Sequence, residues 1–332
     1  MNPDGFLRDV LAAPERLASA LDAYERPDSP LAGVTGLMSS PRRVVFVGMG
    51  SSRFAAVAAA ALLRSRGTDA VAEYASAARP TPPSPDTLVV GISASGTTPE
   101  TVDAVSAHRG VSMTVAVSND PESELASLAN VVLPLVAGTE EGGIACLTYQ
   151  NTVAVLLLLA DRIAADGPQV ADLRPAVEAG ARLRHGRDSW LDLVVELVDN
   201  ARTVATIAPA ERLSSALQSA LVLREGPRVA ADAAETGDWL HVDVYLSKRP
   251  SYAAILFAGS RFDAGVLEWS AKRTFPVVAA GPPVTGAAVE VAYPAAGSPF
   301  VPLLVETGVA ELVAAELWQR RVVAGDSVLV DP

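Results

Sequence analysis

Short apolar runs alternate with longer stretches of helical spacing along this chain, and the alternation occurs twice. In the first half, apolar runs at residues 44–47, 88–92, 113–117 and 131–135 read as strands, with helical stretches over 54–63, 100–108 and 122–128 between them. A long apolar helix follows over 145–164. Mixed polar and apolar helices over 173–183 and 189–198, with Gly180 and Gly186 near them, read as a connector. The second half repeats the order: a strand at 203–207, a helix over 210–224, strands at 252–257, 275–279 and 289–293, and a closing helix over 301–320. Residues 1–40 read as one amphipathic helix and a Pro/Gly/Ser linker. Strands alternating with helices predict α/β architecture with parallel sheets covered on both faces. The expected division is 1–40 as helix and linker, 41–165 as a first lobe, 166–199 as a helical connector and 200–332 as a second lobe with a tail.

Composition narrows the class of partner. The 332 residues, 50% hydrophobic, suffice for two lobes of ordinary domain size. With 26 basic against 38 acidic side chains the net charge is −12, which argues against nucleic acid or an anionic membrane as partner. The single cysteine, Cys146, has no intrachain partner and suits a reducing compartment. Three histidines and one cysteine show no ligand spacing of the usual kinds, so no metal is expected. No basic segment followed by an apolar core opens the sequence, and no uncharged apolar run reaches about 18 residues. A cytoplasmic protein acting on a small molecule is the expectation.

The densest chemistry lies in Leu88-Val89-Val90-Gly91-Ile92-Ser93-Ala94-Ser95-Gly96-Thr97-Thr98-Pro99-Glu100, where a strand runs into a hydroxyl-rich turn and then a helix start. The hydroxyls of Ser93, Ser95 and Thr98 and the free N–H groups of the helix can converge where the helix dipole favours an anion. Gly96 permits close approach and Pro99 fits the first helical turn. Upstream, Gly48-Met49-Gly50-Ser51-Ser52 follows the strand at 44–47 and opens an Ala-rich helix. In a doubly wound sheet both turns lie at the carboxyl ends of the strands near the switch point, so they can face one ligand. Gly50, Ser51, Ser52, Ser93, Ala94, Ser95 and Thr98 are therefore the candidate phosphate-binding residues. The plainer reading is helix capping by serine. The corresponding turn of the second lobe, Ala208-Pro209-Ala210, has neither Gly nor Ser, so one phosphate site per chain is expected.

These turns resemble those of the sugar isomerase (SIS) domain family, and within it the isomerase domain of glucosamine-6-phosphate synthase. The likeness begins at Asp9-Val10-Leu11-Ala12-Ala13-Pro14, passes through both turns, and continues at Ala137-Gly138-Thr139-Glu140 and Leu223-Arg224-Glu225. It ends at Ser327-Val328-Leu329-Val330-Asp331. The Ser-x-Ser-Gly-x-Thr element is the specific part, and each other piece is weak alone. The resemblance implies two doubly wound, flavodoxin-like lobes in tandem, a sugar 6-phosphate as substrate, a homodimer with its site between subunits, and no cofactor.

The same resemblance implies two catalytic residues. In the family a glutamate at this helix end shuttles the C1/C2 proton, and a histidine sixteen residues on opens the sugar ring; here Glu225 and His241 have that spacing. A carboxylate can take a carbon-bound proton, and an imidazole near neutrality can move protons on oxygen. The plainer readings are a solvated helix end for Glu225 and a packed histidine for His241 within Trp239-Leu240-His241-Val242. His108 reads as a cation at a helix C-terminus, and His185, in Arg182-Leu183-Arg184-His185-Gly186-Arg187, as part of a solvated basic face; either could act from a partner subunit.

Departures from the family are as telling as the matches. Where the synthase carries an imine-forming lysine, Asp326 stands, and a carboxylate cannot form the imine. No glutamine-hydrolysing domain precedes the region in this sequence, so ammonia transfer from glutamine is not expected. Loss of the C2 proton can lead to a ketose, to deamination, or to expulsion of the C3 substituent. Elimination needs no imine, only a base such as Glu225 and an acid near O3, for which Asp243, Glu235 and His241 are candidates. The sequence reading favours an amino-sugar 6-phosphate dehydratase acting on N-acetylglucosamine 6-phosphate, over an isomerase or deaminase of glucosamine 6-phosphate. A non-catalytic sugar-phosphate-binding protein is the reading from another class.

Overall fold

The computed structural model describes residues 1–35, 41–164, 167–295 and 297–326. The Ser327-Val328-Leu329-Val330-Asp331 motif lies outside the described residues. Among the described residues, ten strands form two wholly parallel five-stranded sheets. The first holds β1 (Arg43–Gly48), β2 (Asp69–Tyr74), β3 (Thr87–Ile92), β4 (Met113–Ser118) and β5 (Val131–Pro134), in the order β2-β1-β3-β4-β5. The second holds β6 (Thr203–Ala208), β7 (Ala231–Glu235), β8 (Tyr252–Phe257), β9 (Val277–Ala280) and β10 (Val289–Val291), in the order β10-β9-β8-β6-β7. Numbered from its own first strand, each sheet reads 2-1-3-4-5, the doubly wound order of flavodoxin-like folds. The expected tandem α/β lobes are present.

Packing divides the chain into two compact units that are not contiguous in sequence. One comprises Glu15–Thr139 and Leu147–Arg174, and the other Met1–Pro14, Glu140–Cys146 and Pro175–Pro332. Helix α1 (Pro3–Glu25) therefore changes unit at Pro14, and the segment read from sequence as a connector packs largely with the second unit.

Central strands form because their residues are apolar on both faces: all six residues of β3 and of β8 are buried, as are five of six in β1. The sequence reading missed β2 and β7. Both are edge strands, Asp-Ala-Val-Ala-Glu-Tyr and Ala-Asp-Ala-Ala-Glu, buried at alternating or scattered positions, so neither shows an apolar run. On the first sheet pack α2 (Gly50–Ser65), α3 (Pro99–Ser106) and α4 (Glu124–Leu128). Gly91 lets α3 lie close, since a Cβ there would stand 2.5 Å from Val105 Cγ2.

Helix α5 (Leu147–Ile163) packs on α2 and is buried at every position from Leu147 to Ala160. Its long apolar run therefore reflects enclosure, and even its polar residues Thr148, Gln150, Asn151 and Thr152 are buried.

The second unit continues with α6 (Pro175–His185), α7 (Leu191–Asp199), α8 (Leu213–Glu225) and the short α9 (Thr236–Trp239). It closes with α10 (Asp263–Arg273) and α11 (Thr307–Ala324). Helix α10 was missed as well. Its inward positions are Asp263, Val266, Leu267 and Ser270, so half of the stripe that would betray it is polar.

Candidate functional site

The candidate phosphate cradle belongs to the first unit. In the order β2-β1-β3 the chain winds away from β1 in opposite directions, so the turns after β1 and β3 leave the same sheet edge side by side. Val47 pairs with Gly91 across that reversal. A Cβ on Gly48 would meet the Ile92 carbonyl oxygen and Ser52 Cβ, each at 3.1 Å, so the roots of the two turns are in contact.

The turn after β3 is stiffened by its own hydroxyls. Ser93, 2% exposed, accepts from the Gly96 N–H through Oγ at 3.0 Å, and its Oγ stands 2.9 Å from Thr98 Oγ1. Ser95 accepts from the Thr97 N–H at 3.3 Å and from Thr97 Oγ1 at 3.0 Å, with Ser95 and Thr97 exposed at the rim. Ser93 and Thr98 thus shape the turn, and Ser95 faces outward. Gly96 is required twice over. Its φ is +67°, and a Cβ there would stand 2.0 Å from Ser123 Oγ. The loop after β4 supports the turn from that side, through Asn119 N–H to Ala94 O at 3.0 Å and Leu125 N–H to Gly96 O at 3.0 Å.

Capping does not account for these hydroxyls. Met49 precedes α2, and Thr98 precedes α3 without giving its side chain to a helix N–H. Ser123 does cap α4, accepting from Ala126 N–H, which shows what the plainer reading looks like where it holds. Ser51 and Ser52 lie half-buried in the first turn of α2, after Gly50 at φ +49°. The unbonded N–H groups of a helix start are the usual complement of such an anion cradle.

Glu225 and His241 belong to the second unit. Glu225 is the last residue of α8, and the Arg228 guanidinium donates to its carbonyl oxygen. The residue is exposed, but partial burial of the carboxyl pushes its pKa above the ordinary carboxylate value, against the opposing charges of Arg224 and Arg228. His241 follows α9, its N–H bonded to Asp238 O at 2.9 Å. The expectation that the apolar run buries it is overturned: Trp239 is the anchor, fully buried with Nε1 donating to Tyr252 Oη at 2.9 Å, whereas His241 and Val242 are exposed. Among the candidate acids, Glu235 accepts from the Asp238 N–H at 2.8 Å as the cap of α9. The Asp243 carboxyl is pushed up by burial, helped by Asp232 and Asp238.

The two remaining histidines have different environments. His108, just past the end of α3, is 3% exposed rather than solvated, its Nδ1 lies 3.0 Å from Ser112 Oγ, and burial lowers its pKa against the nearby Glu73. His185 is exposed at the end of α6, as is Arg182, in keeping with a solvated face. The exception in that segment is Arg184, which is buried, donating to Val10 O at 2.5 Å and Gly180 O at 3.1 Å and paired with Glu311 at 3.5 Å.

At the corresponding reversal of the second sheet the turn groups are met by the chain's own side chains. Arg212, just past the Ala208-Pro209-Ala210 turn, donates to Ala258 O at 2.6 Å and pairs with Glu306, which also accepts from Tyr293 Oη at 3.2 Å. Asp263 accepts from Gly259 N–H at 2.6 Å and Ser260 N–H at 3.0 Å, occupying the donors of the turn after β8. An internal carboxylate stands where an anion would otherwise be bound.

A family model for the SIS domain matches residues 37–162. The glutamine–fructose-6-phosphate aminotransferase (isomerizing) of Gloeobacter violaceus is 27% identical over 256 residues, 73% of this chain and 41% of the relative. The chain thus spans about two fifths of the length of the curated relatives it matches. Among solved structures, the C-terminal domain of glucosamine-fructose-6-phosphate aminotransferase from Francisella tularensis superposes with TM-score 0.82 at 18% identity, covering 95% of this chain and 96% of that one. Tagatose-6-phosphate ketose/aldose isomerase from Escherichia coli superposes with TM-score 0.81 at 15% identity, covering 95% and 92%. At these identities the likeness is one of fold. Among the described residues no helix is long and apolar enough to cross a membrane.

Proposed function

We propose, from the premise that this chain carries a SIS domain at residues 37–162 and the fold of phosphosugar isomerases, that it is a cofactor-free enzyme moving the C2 proton of an amino-sugar 6-phosphate. The observation that carries the reading is the pair of hydroxyl-bearing turns touching at the β1/β3 reversal, built by side chains that capping does not explain. In this reading Gly50, Ser51 and Ser52 with Ala94, Ser95 and Thr98 receive the phosphate, and Ser93 holds the turn in shape.

Glu225 is the proposed base. A carboxyl whose pKa is raised from its ordinary value is better matched to abstracting a carbon-bound proton near neutral pH than an unperturbed surface glutamate. His241, exposed and therefore free to reach a ligand, is the proposed proton carrier on the sugar oxygens. Return of the proton at C1 gives the ketose, and for a free 2-amino sugar the same intermediate permits loss of ammonia. The relatives' printed activities favour this aldose–ketose course.

Elimination of the C3 hydroxyl from N-acetylglucosamine 6-phosphate is the second reading. Two observations favour it: Asp326 stands where the family's imine-forming lysine would be, and burial with Asp232 and Asp238 nearby shifts Asp243 toward its protonated form, the form that assists a leaving hydroxyl. Phosphorus and proton NMR of the protein in heavy water, with a panel of hexose and hexosamine 6-phosphates, tests both. Deuterium entering C2 with a ketose or ammonia supports the first course, and an unsaturated sugar supports the second. Bound but unchanged ligands, with no exchange at C2, would overturn the enzymatic reading in favour of a sugar-phosphate-binding protein.

A further inference from the structure

The turns after β1 and β3 hold hydroxyls and backbone N–H groups, and one cation, Arg53. A phosphate monoester carries a charge near −2 at neutral pH, since its second pKa is about 6. Neutral donors bind such an ion, yet they discriminate weakly between a dianion and a monoanion of the same shape.

Arg53 is placed to supply the difference. It follows Ser52 in the first turn of α2, and its Cζ lies 3.8 Å from the centroid of the Tyr74 ring. Tyr74 ends β2 and is opposite Gly48 in register, so the guanidinium rests at the same carboxyl edge of the sheet, on the strand beside the first turn. Tyr74 is 54% exposed, so the ring is a platform at the rim of the sheet. Arg53 Nε is buried without a hydrogen-bond partner, and among the described residues no carboxylate pairs with the side chain. A guanidinium offers five donors in a fixed fork and matches phosphate oxygens in pairs. Leaving such a donor unmet inside protein is costly, and an incoming oxyanion would meet it. Strands β2 and β3 are two spacings apart, about 10 Å, a span that a bound sugar phosphate bridges from the Ser93 turn.

We propose that Arg53 is the charge-reading residue of this site: it rests on Tyr74 when the site is empty and turns onto the phosphate of an entering sugar ester, selecting dianionic phosphate monoesters over monoanionic or neutral sugars. The proposal rests on the phosphosugar reading of the cradle.

The test compares N-acetylglucosamine 6-phosphate with N-acetylglucosamine 6-sulfate, which has the same shape and one negative charge, by calorimetry at pH 7.5. The ratio of the two dissociation constants is the readout. It should fall by about tenfold or more in Arg53→Gln, a loss typical of a charged hydrogen bond, and should be largely kept in Arg53→Lys, which retains the charge. A general loss of folding would weaken both esters together and leave the ratio unchanged. An unchanged ratio in Arg53→Gln therefore overturns the proposal. If the wild-type protein binds neither ester, the phosphosugar reading falls and this proposal with it. If it binds the phosphate ester and Arg53→Gln preserves the ratio, only the role of Arg53 falls.

Discussion

Replacing Gly96 with alanine perturbs the candidate site at its tightest point. The residue sits at φ +67°, where an L side chain costs about 1–2 kcal/mol relative to glycine. The added Cβ would also stand 2.0 Å from Ser123 Oγ and 2.2 Å from Ser123 Cβ, so one of the two loops must move by more than an ångström. Overpacking of that kind costs about 1–3 kcal/mol. Because Gly96 N–H donates to Ser93 Oγ, the displaced turn carries Ser95 and Thr98 with it. The expected result is a loss of about 2–5 kcal/mol, divided between unfolding stability and sugar-phosphate affinity. The pair Gly96→Ala with Ser123→Gly separates the two causes. Removing the Ser123 side chain relieves the clash and leaves the backbone cost, so the double variant should recover all but about 1–2 kcal/mol of the Gly96→Ala penalty, apart from the lost α4 cap. Denaturant unfolding and calorimetric titration of the four proteins read both quantities. Gly96→Ala matching wild type within about 0.5 kcal/mol in both would refute the account of why this turn needs glycine.

The proposed base and the proposed assembly give further predictions. Glu225→Gln should lower turnover by about 10²–10⁴ while leaving substrate binding intact, and full activity would remove Glu225 from the base role. Because burial raises the Glu225 carboxyl pKa, the base form is lost as pH falls through that raised value, so the acid limb of kcat/KM should lie above the ordinary value for a glutamate; a limb at or below that value would contradict it. A homodimer is the proposed active unit, with Val242 (56% exposed) and Tyr245 (63% exposed) flanking His241 as apolar surface that association would cover. Light scattering that returns a 34.3 kDa particle at micromolar concentration would refute it.

What the sequence revealed follows from where apolar residues are continuous. The central strands and the helices between them were legible because burial on both faces demands unbroken apolar runs. Edge strands β2 and β7 were not, since one face and one edge meet solvent and Asp and Glu are tolerated there. At the site, the two hydroxyl turns were legible as strand–turn–helix units. The division of labour inside them was not, because whether a serine faces a ligand or its own turn depends on φ at Gly96 and on Ser123, a residue 27 positions away. Arg53 was invisible for a similar reason: its stacking partner arrives on an edge strand that carries no apolar signal. His241 misled because Trp239 takes the buried place, and the turn that follows faces outward.

The internal placement of Asp263 and Arg212 at the second sheet's reversal has a thermodynamic consequence. The turn after β8 has its N–H donors met from within, so no bound anion is needed there to satisfy them. Among the described residues no carboxylate plays that part for the turns after β1 and β3, and a ligand there at a hundredfold excess over its dissociation constant would add about 2.7 kcal/mol to the folded state. Two copies of one topology thus differ in where their counter-ion comes from: one carries it in its own sequence, and the other takes it from a metabolite whose supply then sets part of the stability.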